Sequence, residues 1–294
     1  MQNKINEPVE ATHLGKKSEF PEQYDASVLV AVPRYENRKI YNIEERPSIF
    51  VGKDVWHAYE LGFLTEIGLP VTGMLKLVYG ADNLFLVESK SLKLYLNSFN
   101  MSNFGKNRQE GIEEVLTLIK ADLDKCLGTN VDVSFMEDGQ EKKLDFNDFD
   151  LLEQHPDAEL VDYTHFNESP ELLESVAGKV LKVGSHLLRS NCKITHQPDW
   201  GSVYINIEGE SIPSKMSLLK YLVSFRNENH FHEEVCEMIY KRLYDVFSPK
   251  KLMVACLFTR RGGIDICPVR ASHESLLPTN LIDVDSRDCK LIRQ

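Results

Sequence analysis

The sequence predicts an α+β fold made of antiparallel sheets with helices packed on one face. Three observations carry this. Strand-like runs are clustered and do not alternate strictly with helices, as a parallel sheet would require. Two long stretches with apolar residues at helical spacing each stand between such runs. The second half of the chain also repeats a phrase and an element order found in the first.

The elements follow in order. "MLKLVYG" (74–80) has strand character. The phrase "SLKLYLNSF" (91–99) comes next, then the helical pattern "EGIEEVLTLIKADLDKCL" (110–127), then the strand pattern "VDVSFM" (131–136). The second half runs "SVYINIEG" (202–209), "SLLKYLVSF" (217–225), the helical "EEVCEMIYKRLYDVF" (233–247) and the strand "LMVACLF" (252–258). At an offset of 126 positions, Tyr95 matches Tyr221, Leu96 matches Leu222, Ser98 matches Ser224 and Phe99 matches Phe225. The matching order of elements reads as an internal duplication. The expected organisation is an N-terminal module over 1–136, a connector over 137–175 and a C-terminal module over 176–294.

The connector is set apart by charge. It holds 13 acidic and 2 basic residues, which equals the whole chain's net charge of −11. Its plainest reading is a solvated link. The remainder is neutral overall, so the broad basic surface needed for direct contact with nucleic acid is not expected. No stretch approaches 18 consecutive apolar residues, and no secretory h-region opens the chain, so no membrane association is expected. The six cysteines are scattered without a C-x-x-C pair, which suits reduced thiols in the cytoplasm.

Several stretches carry possible chemistry. "SNCKITHQPDWG" (190–201) sets Cys192 among polar residues, with Arg189 and Lys193 beside it and Asp199 downstream. Cations near a thiol lower its pKa and favour the nucleophilic thiolate. The bland alternative is a core cysteine on a short strand, as Cys126, Cys236 and Cys256 look to be. "NENHFHEEV" (227–235) puts His230, His232, Glu233 and Glu234 at a helix start. The glutamates there suit the helix dipole. A His–Glu pair also suits recognition of a heterocycle, the carboxylate accepting N–H bonds and the imidazole donating or shuttling a proton. A zinc set of Cys192, His196, His230 and His232 has only weak spacing, and no metal is expected. "VESKSLKLY" (87–95) would pass for an edge strand blunted by lysines. "FTRRGGIDICPVR" (258–270) joins arginines to two glycines, which suits a phosphate or simply a turn. No G-x-G-x-x-G follows a strand, so a Rossmann nucleotide domain is not indicated.

Taken together, "ESKSLKLYLNSF" (88–99), "SNCKITHQPDWG", "FHE" (231–233) and "FTRRGGIDICP" (258–268) resemble the NADPH-dependent 7-cyano-7-deazaguanine reductases, the nitrile reductases of queuosine biosynthesis, in their long two-module form. "LGKKSEFPEQYD" (14–25) and the terminal "LIRQ" extend the resemblance over nearly the whole chain. Cys267 departs from the asparagine expected there and puts only local turn geometry in question. The resemblance implies two fused tunnelling-fold modules, a homodimer, and reduction of a nitrile to an amine by two NADPH through a thioimidate. It implies Cys192 as nucleophile and Asp199 as proton donor. It implies Val87, Glu88, Ser89, His232 and Glu233 for the deazaguanine, and Ser89, Lys90, Arg261 and Gly262 for NADPH. The competing expectation is a hydrolytic tunnelling-fold enzyme acting on a purine or pterin, similar to GTP cyclohydrolase and using zinc. A non-catalytic purine-binding protein is a third.

Overall fold

A computed structural model describes residues 21–137, 141–143, 145–288 and 290–294. The start of the 14–25 block and Cys289 lie outside the described residues. The centre is one nine-stranded, mainly antiparallel sheet. The N-terminal half supplies β1 (Val51–Leu64) and β2 (Pro70–Gly80), then helices α1 (Ser89–Asn97) and α2 (Arg108–Leu127), then β3 (Val131–Met136). The C-terminal half supplies β4 (Val180–Cys192), β5 (Pro198–Glu208), α3 (Lys215–Val223), α4 (His232–Phe247), β6 (Lys251–Phe258) and β7 (Ile264–Ala271). A strand hairpin, two helices and a returning strand therefore occur in the same order twice.

The halves share the sheet. Spatially the order is β4-β5-β6-β7-β1-β2-β3, with the short strands Asn229–His230 and Asp150–Leu151 parallel to β4. The seam is the antiparallel pair β7–β1, which sets Ile266 opposite Trp56 and Asp265 opposite His57. Because side chains alternate across a strand, Trp56 and Ile266 face the helices while His57 and Asp265 face away.

The helices form where the apolar period is near 3.6. In α2, Ile112, Val115, Ile119, Leu123 and Leu127 are buried, Asn107 caps the first turn by accepting from the Glu110 amide, and Gly128 ends the helix in the left-handed region at φ +63°. The edge-strand reading of 87–95 is overturned. Leu92, Tyr95, Leu96 and Phe99 recur at helical spacing and bury one face, so Ser89–Asn97 is helix, with Glu88 extended ahead of it as N-cap.

Two cores lie on the helical side of the sheet. One packs α1 and α2 on Trp56, Leu75, Leu77 and Ile266. The other packs α3 and α4 on Val203, Ile205, Val254 and Phe258. The opposite face is also covered, by Phe146, Leu277 and Leu281 against Tyr204, Met253 and Val269. There the Lys76 ammonium donates to the carbonyls of Asn280, Asp283 and Ser286 at 2.6–3.3 Å, holding the C-terminal segment down.

The acidic segment is built into this structure and is not only a solvated link. Leu152, Ala158 and Leu173 enter the C-terminal core. Phe146 stacks on Tyr204 at 4.3 Å, and Glu168 accepts from Arg242 at 3.0 Å. Between the halves a buried ion network adds a polar clamp. Arg270 reaches Asp54 at 2.8 Å and Glu237 at 2.9 Å, Arg38 reaches Glu237 at 2.7 Å, and Arg34 pairs with Asp54. Among the described residues no helix is long and apolar enough to cross a membrane.

Candidate active site

Two adjoining cavities open where the start of α1 meets the β4–β5 turn, the start of α4 and the β6–β7 turn. The inner one is narrow and lined in part by Val87, Ser89, Cys192, Asp199, His232, Glu233 and Arg261. The outer one is wider and lined in part by Ser89, Lys90, Lys93, Thr195, Gln197, Arg261 and Gly262. Ser89, His232 and Arg261 border both. Nine of the ten residues expected at a site thus converge on adjoining walls. Glu88 lies between Val87 and Ser89, 1% exposed, at the N-cap of α1 and outside the lining itself.

Cys192 is the last residue of β4, where the chain turns over Lys193–Gln197 into β5. Its amide donates to the Gln197 carbonyl at 2.8 Å, and His196 takes φ +55° to close the turn. The thiol is buried, and burial pushes its pKa up. Hydrogen bonds from the Thr195 hydroxyl, from the amides of Thr195 and Ile194 and from Arg261 outweigh that, so the pKa is lowered overall. This corrects the sequence-level reason. Lys193 pairs with Glu234 at 2.8 Å. Arg189 hydrogen-bonds the Arg226 carbonyl and lies over the Trp200 ring. The neighbours that favour the thiolate are turn amides and an arginine 69 positions downstream.

Asp199 is 4% exposed on β5. Burial raises its pKa to about 6, against the lowering effect of Arg261. The Arg261 guanidinium stands 2.8 Å from Oδ1, in an ionic contact that lacks directed hydrogen-bond geometry. His232 Nε2 is 3.7 Å from Oδ2. Burial, with Arg261 adding to it, lowers the His232 pKa to about 3, so this imidazole is neutral near pH 7. Its ring packs edge-on to Phe258 at 4.2 Å. Glu233 is fully enclosed on the first turn of α4. Burial and then the Asp54 carboxylate raise its pKa to about 8, and its Oε1 has no hydrogen-bond partner among the described residues.

The other members of that stretch are structural. Glu234 accepts from the Phe231 amide at 3.0 Å, as a helix cap. His230 sits between Glu228 at 3.2 Å and Glu234 at 3.4 Å. The four residues weighed for zinc do not converge, since His196 hydrogen-bonds Asn229 at the surface. Among the described residues, the His, Cys and carboxylate ligand atoms that meet within 4.8 Å are those of His57, Asp265 and Cys267 on the opposite sheet face. There the Lys290 ammonium already lies 2.8 Å from His57 Nδ1 and 3.3 Å from Asp265.

The outer cavity has the donor set for an anionic ligand. Lys90, Lys93 and Arg261 are cationic, and Gly262 turns at φ +61° with Lys93 Nζ 2.9 Å from where a Cβ would stand. Phosphates suit such a set. Sequence reasoning missed Thr195, Gln197 and Lys93, although all three lie inside stretches it had singled out. It also missed Trp56 and Phe231 on the inner wall. Trp56 sits mid-strand, and nothing in its sequence context marks it.

Comparison with known proteins agrees with this geometry. A family model described as "Nitrile reductase, 7-cyano-7-deazaguanine-reductase N-term" matches residues 20–135, and one described as "QueF-like protein" matches residues 198–276. A protein of Polaromonas sp. (strain JS666 / ATCC BAA-500) named NADPH-dependent 7-cyano-7-deazaguanine reductase is 40% identical over 289 residues, covering 94% of this chain and 98% of the relative. One of the same name from Acinetobacter baumannii (strain SDF) is 36% identical over 277 residues, covering 92% and 96%. Among solved structures, an archaeosine synthase QueF-Like in the apo form aligns with a TM-score of 0.31 and 14% identity over 33% of this chain and 98% of its own, too slight a likeness to carry an argument.

Proposed function

The chain belongs to the NADPH-dependent 7-cyano-7-deazaguanine reductase family, and on that premise we propose that it reduces the nitrile of 7-cyano-7-deazaguanine to the primary amine, a step in the making of the queuosine base. One observation carries the reading of the site. A thiol whose pKa is lowered and a carboxyl whose pKa is raised line one cavity. Nucleophile and acid are thereby poised for the same bond.

In this reading Cys192 Sγ adds to the nitrile carbon and forms a thioimidate. The addition leaves negative charge on nitrogen, and the Asp199 carboxyl delivers a proton there. Arg261 holds Asp199 in place and supports the thiolate before attack. The base lies against Val87 and Ser89. Glu88 and Glu233 accept its ring N–H groups, and neutral His232 lies beside Asp199 ready to move a proton. NADPH, when bound, supplies hydride, two equivalents being needed to take a nitrile to an amine. Loss of the cysteine sulfur between the two additions returns Cys192 and leaves an imine, which the enclosure must guard from water. Ser89, Lys90, Arg261 and Gly262 fit the cofactor: the outer cavity unites three cationic side chains with an exposed glycine turn.

The recurrence of hairpin, helix pair and strand supports two tunnelling-fold modules, over 1–136 and 176–294, with 137–175 between them. The open sheet edge at β3 supports association of two copies as a homodimer. Five described cysteines are free, which fits the cytoplasm, and the substrate is the free base without direct nucleic-acid contact. Incubation with 7-cyano-7-deazaguanine and NADPH tests the activity. Absorbance at the nicotinamide band should fall by two equivalents per product, and the product should carry the mass of the amine. No cofactor oxidation would refute it.

A further inference from the structure

The inner cavity holds a second buried polar atom that the scheme above does not use. Trp56 is 1% exposed and lines that cavity from β1, beside Ile266 of β7. Its indole Nε1 is buried and has no hydrogen-bond partner among the described residues. The Glu233 carboxylate oxygen Oε1, in the same wall set, is likewise unpartnered. Buried indole N–H groups normally find an acceptor, and orphaned buried polar atoms are costly enough that each asks for an explanation. Here the two orphans are of opposite type. One is a fixed donor without acceptor capacity, the other a carboxylate oxygen. A ligand edge carrying a carbonyl oxygen next to a ring N–H would satisfy both together. The 6-oxo edge of a guanine-like ring has that pattern, whereas a 6-amino edge has donor and acceptor reversed.

We infer that Trp56 is a specificity-determining residue whose indole N–H donates to the ring carbonyl oxygen of the bound base while Glu233 accepts the adjacent ring N–H. The inference rests on the function proposed above and deepens it. A tryptophan donor cannot turn itself into an acceptor, as a hydroxyl or amide can. It therefore enforces oxo over amino at that ring position, while the carboxylates alone would accept N–H groups from either ring.

The test uses the full chain and two variants of one wall. Trp56→Phe keeps an aromatic filler and removes the donor, together with part of the indole's volume. Its affinity for 7-cyano-7-deazaguanine should fall about 10- to 100-fold, the usual cost of leaving a buried partner unpaired. NADPH affinity should stay close to wild type, although the smaller ring lowers the melting temperature; a loss confined to the nitrile is a split that a merely structural role would not produce. Discrimination against 7-cyano-7-deazaadenine, the 6-amino analogue, should shrink by the same factor. Trp56→Leu should match Trp56→Phe in that discrimination, since both lack the donor. Should the variants fold poorly, the wild-type chain still decides. It has two tryptophans, so ¹⁵N-indole labelling gives two side-chain resonances. The buried, slowly exchanging one should move downfield on adding the nitrile and remain in place on adding NADPH. An unmoved resonance with bound nitrile, or unchanged discrimination in Trp56→Phe, overturns this inference alone. A wild-type chain that does not bind the nitrile at all overturns both it and the function on which it rests.

Discussion

Replacing Asp199 by Asn tests the division of labour at the nitrile. The change keeps the shape and a hydrogen-bonding head but removes the transferable proton. In the wild type the reactive form is a thiolate beside a carboxylic acid, one proton shared between two groups. Lifting the carboxyl from 3.8 to about 6 multiplies the share of that form by on the order of 10². Positioned general acids contribute about 10²–10⁴-fold in rate, and the Asn variant should lose that much in adduct formation. The pH profile gives a sharper sign. The singly protonated pair dominates between about 6 and the thiol's own pKa, so wild-type adduct formation should fall on both sides of that window. The Asn variant needs only the thiolate, so its slow rate should rise with pH and show no alkaline decline. Intact-mass spectrometry after mixing with 7-cyano-7-deazaguanine, without NADPH, reads the adduct as a function of time and pH. A variant that forms adduct at the wild-type rate, or that keeps the alkaline decline, would refute the assignment and turn attention to His232.

Other consequences are equally direct. Cys192→Ala should form no adduct and show no turnover while still binding the nitrile in calorimetry; an adduct in this variant would mean another cysteine attacks. Arg261→Ala should weaken NADPH more than the nitrile, because arginine forks onto phosphate and the base carries none. Since Arg261 also contacts Asp199 and supports the Cys192 thiolate, the variant should slow adduct formation even without cofactor, and wild-type adduct kinetics would separate the two roles and reject the second. Glu233 has a pKa near 8 in the free protein, and a ring N–H favours its ionised form. Nitrile binding should therefore release a proton below about pH 8 and tighten as pH rises toward it, which titration calorimetry in buffers of differing ionisation enthalpy measures; zero proton release would contradict the pairing. Glu237→Ala leaves Arg38 without its buried carboxylate and Arg270 with Asp54 alone and should cost about 3–5 kcal/mol in urea unfolding, an unchanged midpoint being the contrary result.

The sequence by itself determined the α+β class, the strands over 74–80, 131–136, 202–209 and 252–258 and the long helices α2 and α4, because periodicity is local and burial of one face is all those elements require; it left β1, β4 and β7 unread. It also marked Cys192, Asp199, His232, Glu233 and Arg261, since reactive side chains in polar stretches stand out from core patterns. Helix α1 was misread at its start: lysines on an exposed helix face look like lysines guarding an edge, and only the packing of Leu92, Tyr95 and Phe99 decides. Tertiary structure alone settled how the two halves join. The β7–β1 seam makes one sheet of both and brings Val87–Lys90 of the first half against Cys192 and His232 of the second within one chain. Tertiary structure also reassigned the electrostatics. The cations next to Cys192 in sequence face other partners, while Arg261 and the turn amides reach the sulfur. A pKa depends on burial and on charges a few ångströms away, and a linear chain specifies neither. Trp56 is the extreme case, mid-strand and unmarked, given meaning only by the cavity it borders.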